Sequence, residues 1–181
     1  KRFKEKFCLF SKKRQKGKIL WFHGSSVGEI MSIISLLNKY DKDNSFSQIL
    51  VTSSTLSSSK ILQKYKFKKV VHQYFPVDHI FLSNFFVNYW RPDVAIFLES
   101  EIWPSMYRSI KEKKIPLILL NARITNKTFK RWNKFKENSA KIFAKIDIAF
   151  AQNKETAQFL KKLGIKKIKY IGNLKYFEDK K

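Results

Sequence analysis

A single cysteine, Cys8, stands in this chain of 181 residues. One thiol excludes a disulfide framework and a cysteine-built zinc site. The three histidines, His23, His72 and His79, are scattered and have no HExxH spacing. No apolar run approaches the roughly 18–20 residues that cross a bilayer. The longest, Ile80–Trp90, is interrupted by Ser83, Asn84 and Asn88. There is no internal repeat, no low-complexity linker, no signal-peptide pattern and no initiator Met, so the sequence is expected to begin inside a longer chain, with an upstream anchor left open. Acidic residues are scarce: 14 Asp+Glu stand against 38 Lys+Arg, a net charge of +24.

What is present is a foldable body. Hydrophobic residues make up 44% of the chain, with seventeen Phe, unlike a disordered basic tail. The length suits one domain with a real core. A folded surface this positive attracts polyanions: nucleic acid, an anionic membrane face or a phosphorylated substrate. Composition does not choose among them.

Residues 1–18 carry nine Lys/Arg and one Glu and read as a flexible or helical basic lead-in. Short apolar runs then alternate with helical patterns. The strand candidates are Lys18–Phe22, Gln48–Thr52, Lys69–His72, Asp93–Leu98, Pro116–Leu120, Asp147–Ala151 and Ile168–Ile171. The first helix candidate places Val27, Ile30, Met31, Ile34 and Leu37 on one stripe. Further helices are expected over Thr55–Tyr65, Asp78–Trp90, Trp103–Lys113, Lys127–Lys145 and Lys154–Leu163. Pro104 marks a helix start and Gly164 a helix end. Alternating strands and helices predict an α/β fold, a Rossmann-like parallel sheet with helices on both faces. Uninterrupted apolar strands suit a sheet covered on both sides. The expected layout is a lead-in over 1–18, the domain over 19–172 and the start of a linker over 173–181.

Ligands of such sheets bind outside the carboxyl ends of the strands, and that rule selects three loops. The first is His23-Gly24-Ser25-Ser26-Val27-Gly28-Glu29. Ser25 or Ser26 can cap the next helix, and the exposed N–H groups there suit an anion. Glu29 in the first turn either complements the helix dipole or faces the cleft as a chemical group. His23 either contacts a ligand or only bonds the loop backbone, whereas His72 and His79 read as structural or exposed. The glycines form no GxGxxG fingerprint, and no P-loop Lys follows. The second loop, Glu99-Ser100-Glu101-Ile102-Trp103-Pro104, puts two carboxylates at the end of a buried strand. They are costly there unless paired or functional. The third, Asn121-Ala122-Arg123, offers a guanidinium fork for an oxyanion, or for a salt bridge to Glu99 or Glu101.

Taken in order, these segments resemble the Kdo transferases, glycosyltransferase family 30. Trp21-Phe22-His23-Gly24-Ser25-Ser26-Val27-Gly28-Glu29 is similar to the family's WFHxxSVGE signature. Thr52 and Thr55 fall in its Thr-rich loop, and Pro76-Val77-Asp78 resembles its PxD element. Arg91-Pro92-Asp93, Glu99–Pro104 and Asn121-Ala122-Arg123 resemble its RP, ExEWP and NAR motifs. Gly172-Asn173-Leu174-Lys175-Tyr176 is similar to the segment leading into the second domain. The resemblance spans about residues 19–178.

It implies the N-terminal half of a two-domain GT-B enzyme. This half would bind a lipid A precursor, and a C-terminal half absent here would hold CMP-Kdo. Transfer would invert the anomeric carbon, without a metal or other cofactor. Glu29 is the implied general base. His23, Gly24, Ser25, Ser26, Gly28, Thr52, Thr55, Glu99, Glu101 and Arg123 are the expected acceptor-binding residues, with Asn173 and Lys175 at the linker. The expected partners are the lipid A precursor, an anionic membrane surface and the C-terminal domain, at the cytoplasmic face of the bacterial inner membrane. The basic lead-in and the Lys127–Lys145 segment are candidates for the membrane face. The latter reads equally as a solvated Lys face over core aromatics. The alternatives are another GT-B sugar transferase or a sugar-nucleotide epimerase. A nucleic-acid module is disfavoured because no RRM, KH or helix-turn-helix pattern is present.

Overall fold

The structure is a computed structural model that describes residues 2–174. A 3-10 helix, Arg2–Phe7, precedes the alternating body. The elements that follow are β1 (Ile19–His23), α1 (Val27–Met31), α2 (Ile34–Lys42), β2 (Gln48–Ser53), α3 (Leu56–Gln63) and β3 (Val70–Tyr74). Next come α4 (Ile80–Trp90), β4 (Val94–Leu98), α5 (Pro104–Glu112), β5 (Leu117–Ala122), α6 (Asn126–Asn133) and α7 (Lys136–Phe143). The order closes with β6 (Ile148–Ala151), α8 (Lys154–Lys162) and β7 (Ile168–Tyr170).

All strand pairings are parallel, in the order β3-β2-β1-β4-β5-β6-β7. The chain winds outward from β1 to β3, then crosses back to β4, so the order reverses between β1 and β4. That reversal opens a crevice at the carboxyl ends of these two strands. The sheet is covered on both faces. Ile19 and Trp21 pack with Phe86, Trp90, Tyr107 and Ile110 on one side. Leu20 and Phe22 pack with Ile30, Ile33, Leu37 and Leu62 on the other. The expected Rossmann-like architecture is therefore present.

Two helices expected as single pieces are broken. The first divides into α1 and α2 because the Ser32 hydroxyl donates to the Glu29 carbonyl at 2.7 Å, competing with the helical backbone. The Lys127–Lys145 segment divides at Phe135, whose ψ of 52° is not helical. There the Ser139 hydroxyl takes the Trp132 carbonyl at 2.6 Å and so closes α6.

The basic lead-in is docked rather than free. Glu5 is buried and bound by Arg2 Nε at 2.6 Å, by the Ser11 hydroxyl and by the Tyr74 N–H at 2.9 Å. Arg2 also donates to the His72 carbonyl at 2.8 Å. Phe10 stacks on Tyr89 with ring centres 4.1 Å apart. These contacts fasten residues 2–10 to the β3 edge of the sheet. His72, one of two histidines expected to be structural or exposed, is a structural member of this latch. Burial and the nearby Arg2 push its pKa down to about 4. Burial also pushes the Cys8 thiol up to about 11, so it is an inert core group.

Candidate active site

The carboxyl end of β1 delivers His23, and the chain turns through Gly24 into α1. Gly24 is required for space: a Cβ there would lie 2.8 Å from Leu98 Cδ1, 3.1 Å from Glu29 Cβ and 3.3 Å from Glu29 Oε2. Ser26 caps α1 by accepting from the Glu29 N–H at 3.2 Å. The Glu29 carboxylate folds back in return. Its Oε1 accepts from the Ser26 hydroxyl at 2.8 Å, and its Oε2 from the Ser25 N–H at 2.9 Å. This reciprocal arrangement is a variant of the capping box. It satisfies the helix-start reading of Glu29 and simultaneously fixes the carboxylate at the crevice.

The electrostatics exceed what a cap needs. Glu29 is 8% exposed. Burial raises its pKa above the ordinary carboxylate value, and the charges of Glu101 and Glu99 add to that rise. The bonds from Ser26 and Ser25 oppose it without cancelling it. A raised carboxylate is a stronger proton acceptor once ionised.

Glu101 is built the other way. Its Oε2 accepts from Ser25 Oγ at 2.6 Å, Trp103 Nε1 at 2.8 Å and His23 Nε2 at 3.1 Å. Burial alone would raise Glu101, but the partnership with His23 and the bonds from Ser25 and Trp103 outweigh it, and its pKa is lowered. His23 is wholly buried, and burial lowers its pKa, so the ring is neutral. A neutral ring that donates from Nε2 accepts at Nδ1, which faces the Thr52 hydroxyl at 3.0 Å. Thr52 Oγ1 in turn accepts from Trp21 Nε1 at 2.9 Å. A chain of bonds thus runs Trp21–Thr52–His23–Glu101. Phe75 stacks on the His23 ring at 3.9 Å and fixes its plane.

The structure therefore joins most of the expected residues, with corrected roles for some. Ser25 bridges the two carboxylates, through its N–H to Glu29 and its hydroxyl to Glu101. Thr55 caps α3 and reaches the Ser25 carbonyl at 3.3 Å. Gly28 lies exposed in the first turn of α1. His23 and Thr52 were expected to contact an acceptor, but both are 0% exposed and act through Glu101. Arg123 sits exposed on the rim, where its backbone N–H meets the Glu99 carbonyl at 3.3 Å. Among the described residues no ion pair joins it to Glu99 or Glu101. The expectation that these carboxylates orient the guanidinium is replaced by the His23–Glu101 pair. Asn173 lies beside the carboxyl end of β5, where the next N–H, Leu174, donates to Asn121 Oδ1 at 3.1 Å. Lys175 lies outside the described residues.

Glu99 and Asn121 both adopt left-handed backbone, with φ of 49° and 54°, at the carboxyl ends of β4 and β5. Such strain in non-glycine residues concentrates at working sites. Three contributors carried no strong signal in the sequence. Ser54 meets Ser25 Oγ at 3.1 Å, Tyr107 donates to the Glu101 carbonyl at 2.7 Å, and Phe75 stacks on His23. Only their nearness to Thr52, Trp103 and Asp78 in the chain hinted at them. Asp78 itself caps α5 by accepting from the Met106 N–H at 3.0 Å. Among the described residues no three His, Cys, Asp or Glu side chains gather to hold a metal.

Comparison with known proteins agrees with this arrangement. A family model described as 3-deoxy-D-manno-octulosonic-acid transferase (kdotransferase) matches residues 1–178. A 3-deoxy-D-manno-octulosonic acid transferase of Rickettsia bellii is 34% identical over 99% of this chain and 43% of its own length. One from Rickettsia prowazekii is 36% identical over 90% of this chain and 35% of its own. One from Haemophilus influenzae is 27% identical over 87% and 37%. The chain thus spans less than half the length of these relatives. Among solved structures, a UDP-N-acetylglucosamine 2-epimerase from Rickettsia bellii matches with a TM-score of 0.60 at 16% identity, over 88% of this chain and 46% of its own. A UDP-GlcNAc 2-epimerase from Neisseria meningitidis matches at 0.62 and 14%, over 87% and 47%. At those identities the likeness concerns the fold alone.

Proposed function

The chain belongs to the 3-deoxy-D-manno-octulosonic acid (Kdo) transferase family, as its N-terminal domain, and from that membership we propose that it is the acceptor-binding half of a GT-B glycosyltransferase. In this reading Kdo moves from CMP-Kdo to a sugar hydroxyl of a lipid A precursor. Glu29 takes the hydroxyl proton as the oxygen attacks the anomeric carbon of Kdo. The bond from that carbon to the CMP phosphate breaks on the opposite side, and CMP leaves with the electron pair. The new bond forms with inverted configuration. The donor is held by the C-terminal domain.

The observation that carries this reading is the position and state of Glu29. Its carboxylate is aimed by Ser25 and Ser26, buried at the crevice, and raised in pKa by burial and the neighbouring Glu101. A base for a sugar hydroxyl needs that combination of fixed geometry and raised basicity. Glu101 stays ionised beside it and presents Ser25 and Trp103 at the cleft wall.

The test is Kdo transfer by the full-length protein, with CMP-Kdo as donor and a detergent-dispersed lipid A precursor as acceptor. Transfer is expected with CMP-Kdo and not with UDP-sugars. Wild-type transfer by Glu29→Gln would overturn the base assignment. Turnover of UDP-GlcNAc in place of CMP-Kdo would favour the epimerase-like alternative.

A further inference from the structure

The described residues hold nine exposed large hydrophobic side chains, and they are not evenly spread. Phe3, Phe7 and Leu9 are 64%, 51% and 61% exposed on the lead-in. Leu56, Val77, Phe81 and Phe85 are 62%, 48%, 75% and 57% exposed on segments beside it. Only Phe135 and Tyr170 lie elsewhere. Contacts tie the seven into one face. Phe3 meets Phe7 edge to face at 5.7 Å. The Val77 N–H donates to the Lys6 carbonyl at 3.0 Å. Phe10 stacks on Phe85 at 5.9 Å. Phe3 and Leu56 line one cavity of about 460 Å³ together with Arg2, Lys6, Lys60 and Tyr74. Ser54 also lines that cavity and touches Ser25 of the active site, so the face adjoins the crevice.

The charge on this face has one sign. Lys4, Lys12, Lys13 and Lys60 are exposed around it, and Lys6 lies with its ammonium 5.8 Å from the Phe3 ring centre. The acid of the lead-in, Glu5, is buried and paired with Arg2. Asp78 is turned to the start of α5. Exposed apolar side chains ringed by lysines match an anionic bilayer, where the apolar groups enter the headgroup boundary and the ammoniums stay at the phosphates. A second copy would bring lysine against lysine. A single nucleic-acid strand would stack on rings but would leave Leu9, Leu56 and Val77 without use.

We propose that this face, built from the docked lead-in, the start of α3 and the outer side of α4, is where the protein seats on an anionic lipid bilayer. The other basic candidate fails the same criteria. In α6 Phe129 turns inward to stack on Phe159 at 4.5 Å, and Trp132 packs on Phe143 at 5.4 Å. What α6 shows to solvent is lysine and arginine. The proposal deepens the acceptor-binding reading, since the glycolipid would enter the crevice from the membrane side, but its test involves no sugar transfer.

The 181-residue chain is sedimented with vesicles of phosphatidylethanolamine and phosphatidylglycerol, and with neutral phosphatidylcholine vesicles. Binding is expected to the anionic vesicles and to weaken with salt. Phe81→Ser/Phe85→Ser is expected to lower the partition coefficient by about tenfold or more. Phe135→Ser is expected to leave it within about twofold. Phe3→Ser/Phe7→Ser, on a separate element, guards against misfolding and is expected to repeat the loss. Unchanged vesicle binding by both double variants would overturn the proposal. So would an equal loss in Phe135→Ser, or a loss of single-stranded oligonucleotide binding without loss of vesicle binding.

Discussion

Replacing Glu29 with Gln separates a catalytic base from a helix cap. The amide keeps one acceptor oxygen for the Ser25 N–H or the Ser26 hydroxyl and places NH₂ where the other bond was. One cap bond is therefore lost, which costs about 0.5–1.5 kcal/mol at most. Against this stands the raised pKa of Glu29. An acid whose folded pKa is raised contributes stability below its unfolded pKa and loses it as pH rises through the folded pKa. Wild type therefore loses stability relative to Glu29→Gln between the usual carboxylate pKa and the raised one. At neutral pH the variant is expected to lie within about 1 kcal/mol of wild type. Transfer should nevertheless fall by about 10²–10⁴, which equals about 3–5.5 kcal/mol of barrier. The assays are thermal melts of both proteins at pH 4 and pH 7 and single-turnover Kdo transfer by the full-length pair. A variant that melts progressively lower than wild type as pH rises, with transfer intact, would mean that Glu29 is only a dipole-complementing cap.

The remaining predictions address the supports of that group. Gly24→Ala forces a methyl group against Leu98 and the Glu29 side chain and should cost about 1–3 kcal/mol on thermal unfolding, with transfer falling at least about tenfold. Thr52→Val strips the partner from Trp21 Nε1 and His23 Nδ1 and should cost about 1–3 kcal/mol in chemical denaturation, while Thr52→Ser should recover most of it. Glu5→Gln breaks the latch of the lead-in and should cost about 2–3 kcal/mol at pH 7, less than a fully buried pair because Arg2 is partly exposed. Since the Glu5 pKa is lowered by Arg2, Ser11 and Tyr74 against the effect of burial, that gap should close as pH falls below the usual carboxylate range in paired melts. Glu101→Gln removes a charge that raises Glu29, so the acid limb of the transfer pH profile should move to lower pH whatever happens to its height.

The parallel sheet was legible because strands covered on both faces must be apolar throughout. Gln48–Ser53 and Leu117–Ala122 read as strands with no alternation to interpret. The site was legible because Gly and Ser cluster at the carboxyl end of β1, where a helix start must be capped. The breaks in the helices were not. They depend on Ser32 and Ser139 bonding backbone carbonyls, and the same residues would fit an unbroken helix. Thr52 was found but misread, since a hydroxyl in a motif gives no sign of whether it faces a ligand or a neighbouring Trp and His. The left-handed backbone at Glu99 had no signal, because Glu carries none of the preference that marks Gly or Asn. The Phe and Trp of α6 could face either way until the packing of α6 against α8 and α7 was known.

The two carboxylates at the crevice explain why the motif residues must occur together. Ser25 serves both: its N–H fixes Glu29 and its hydroxyl fixes Glu101. Yet their pKa values move in opposite directions. Glu101 gains three donors on one oxygen and keeps its charge. Glu29 receives fewer bonds, is more deeply buried, and feels the charge that Glu101 keeps. Each donor that lowers Glu101 thus helps to raise Glu29. His23 and Thr52 act on the base through this coupling, although neither touches Glu29 among the described residues. A pair driven apart in this way divides the roles of proton acceptor and fixed charge between two identical side chains. The loop after β1 and the loop after β4 therefore form one functional unit, and substitutions in either should be read first in the pH dependence of transfer.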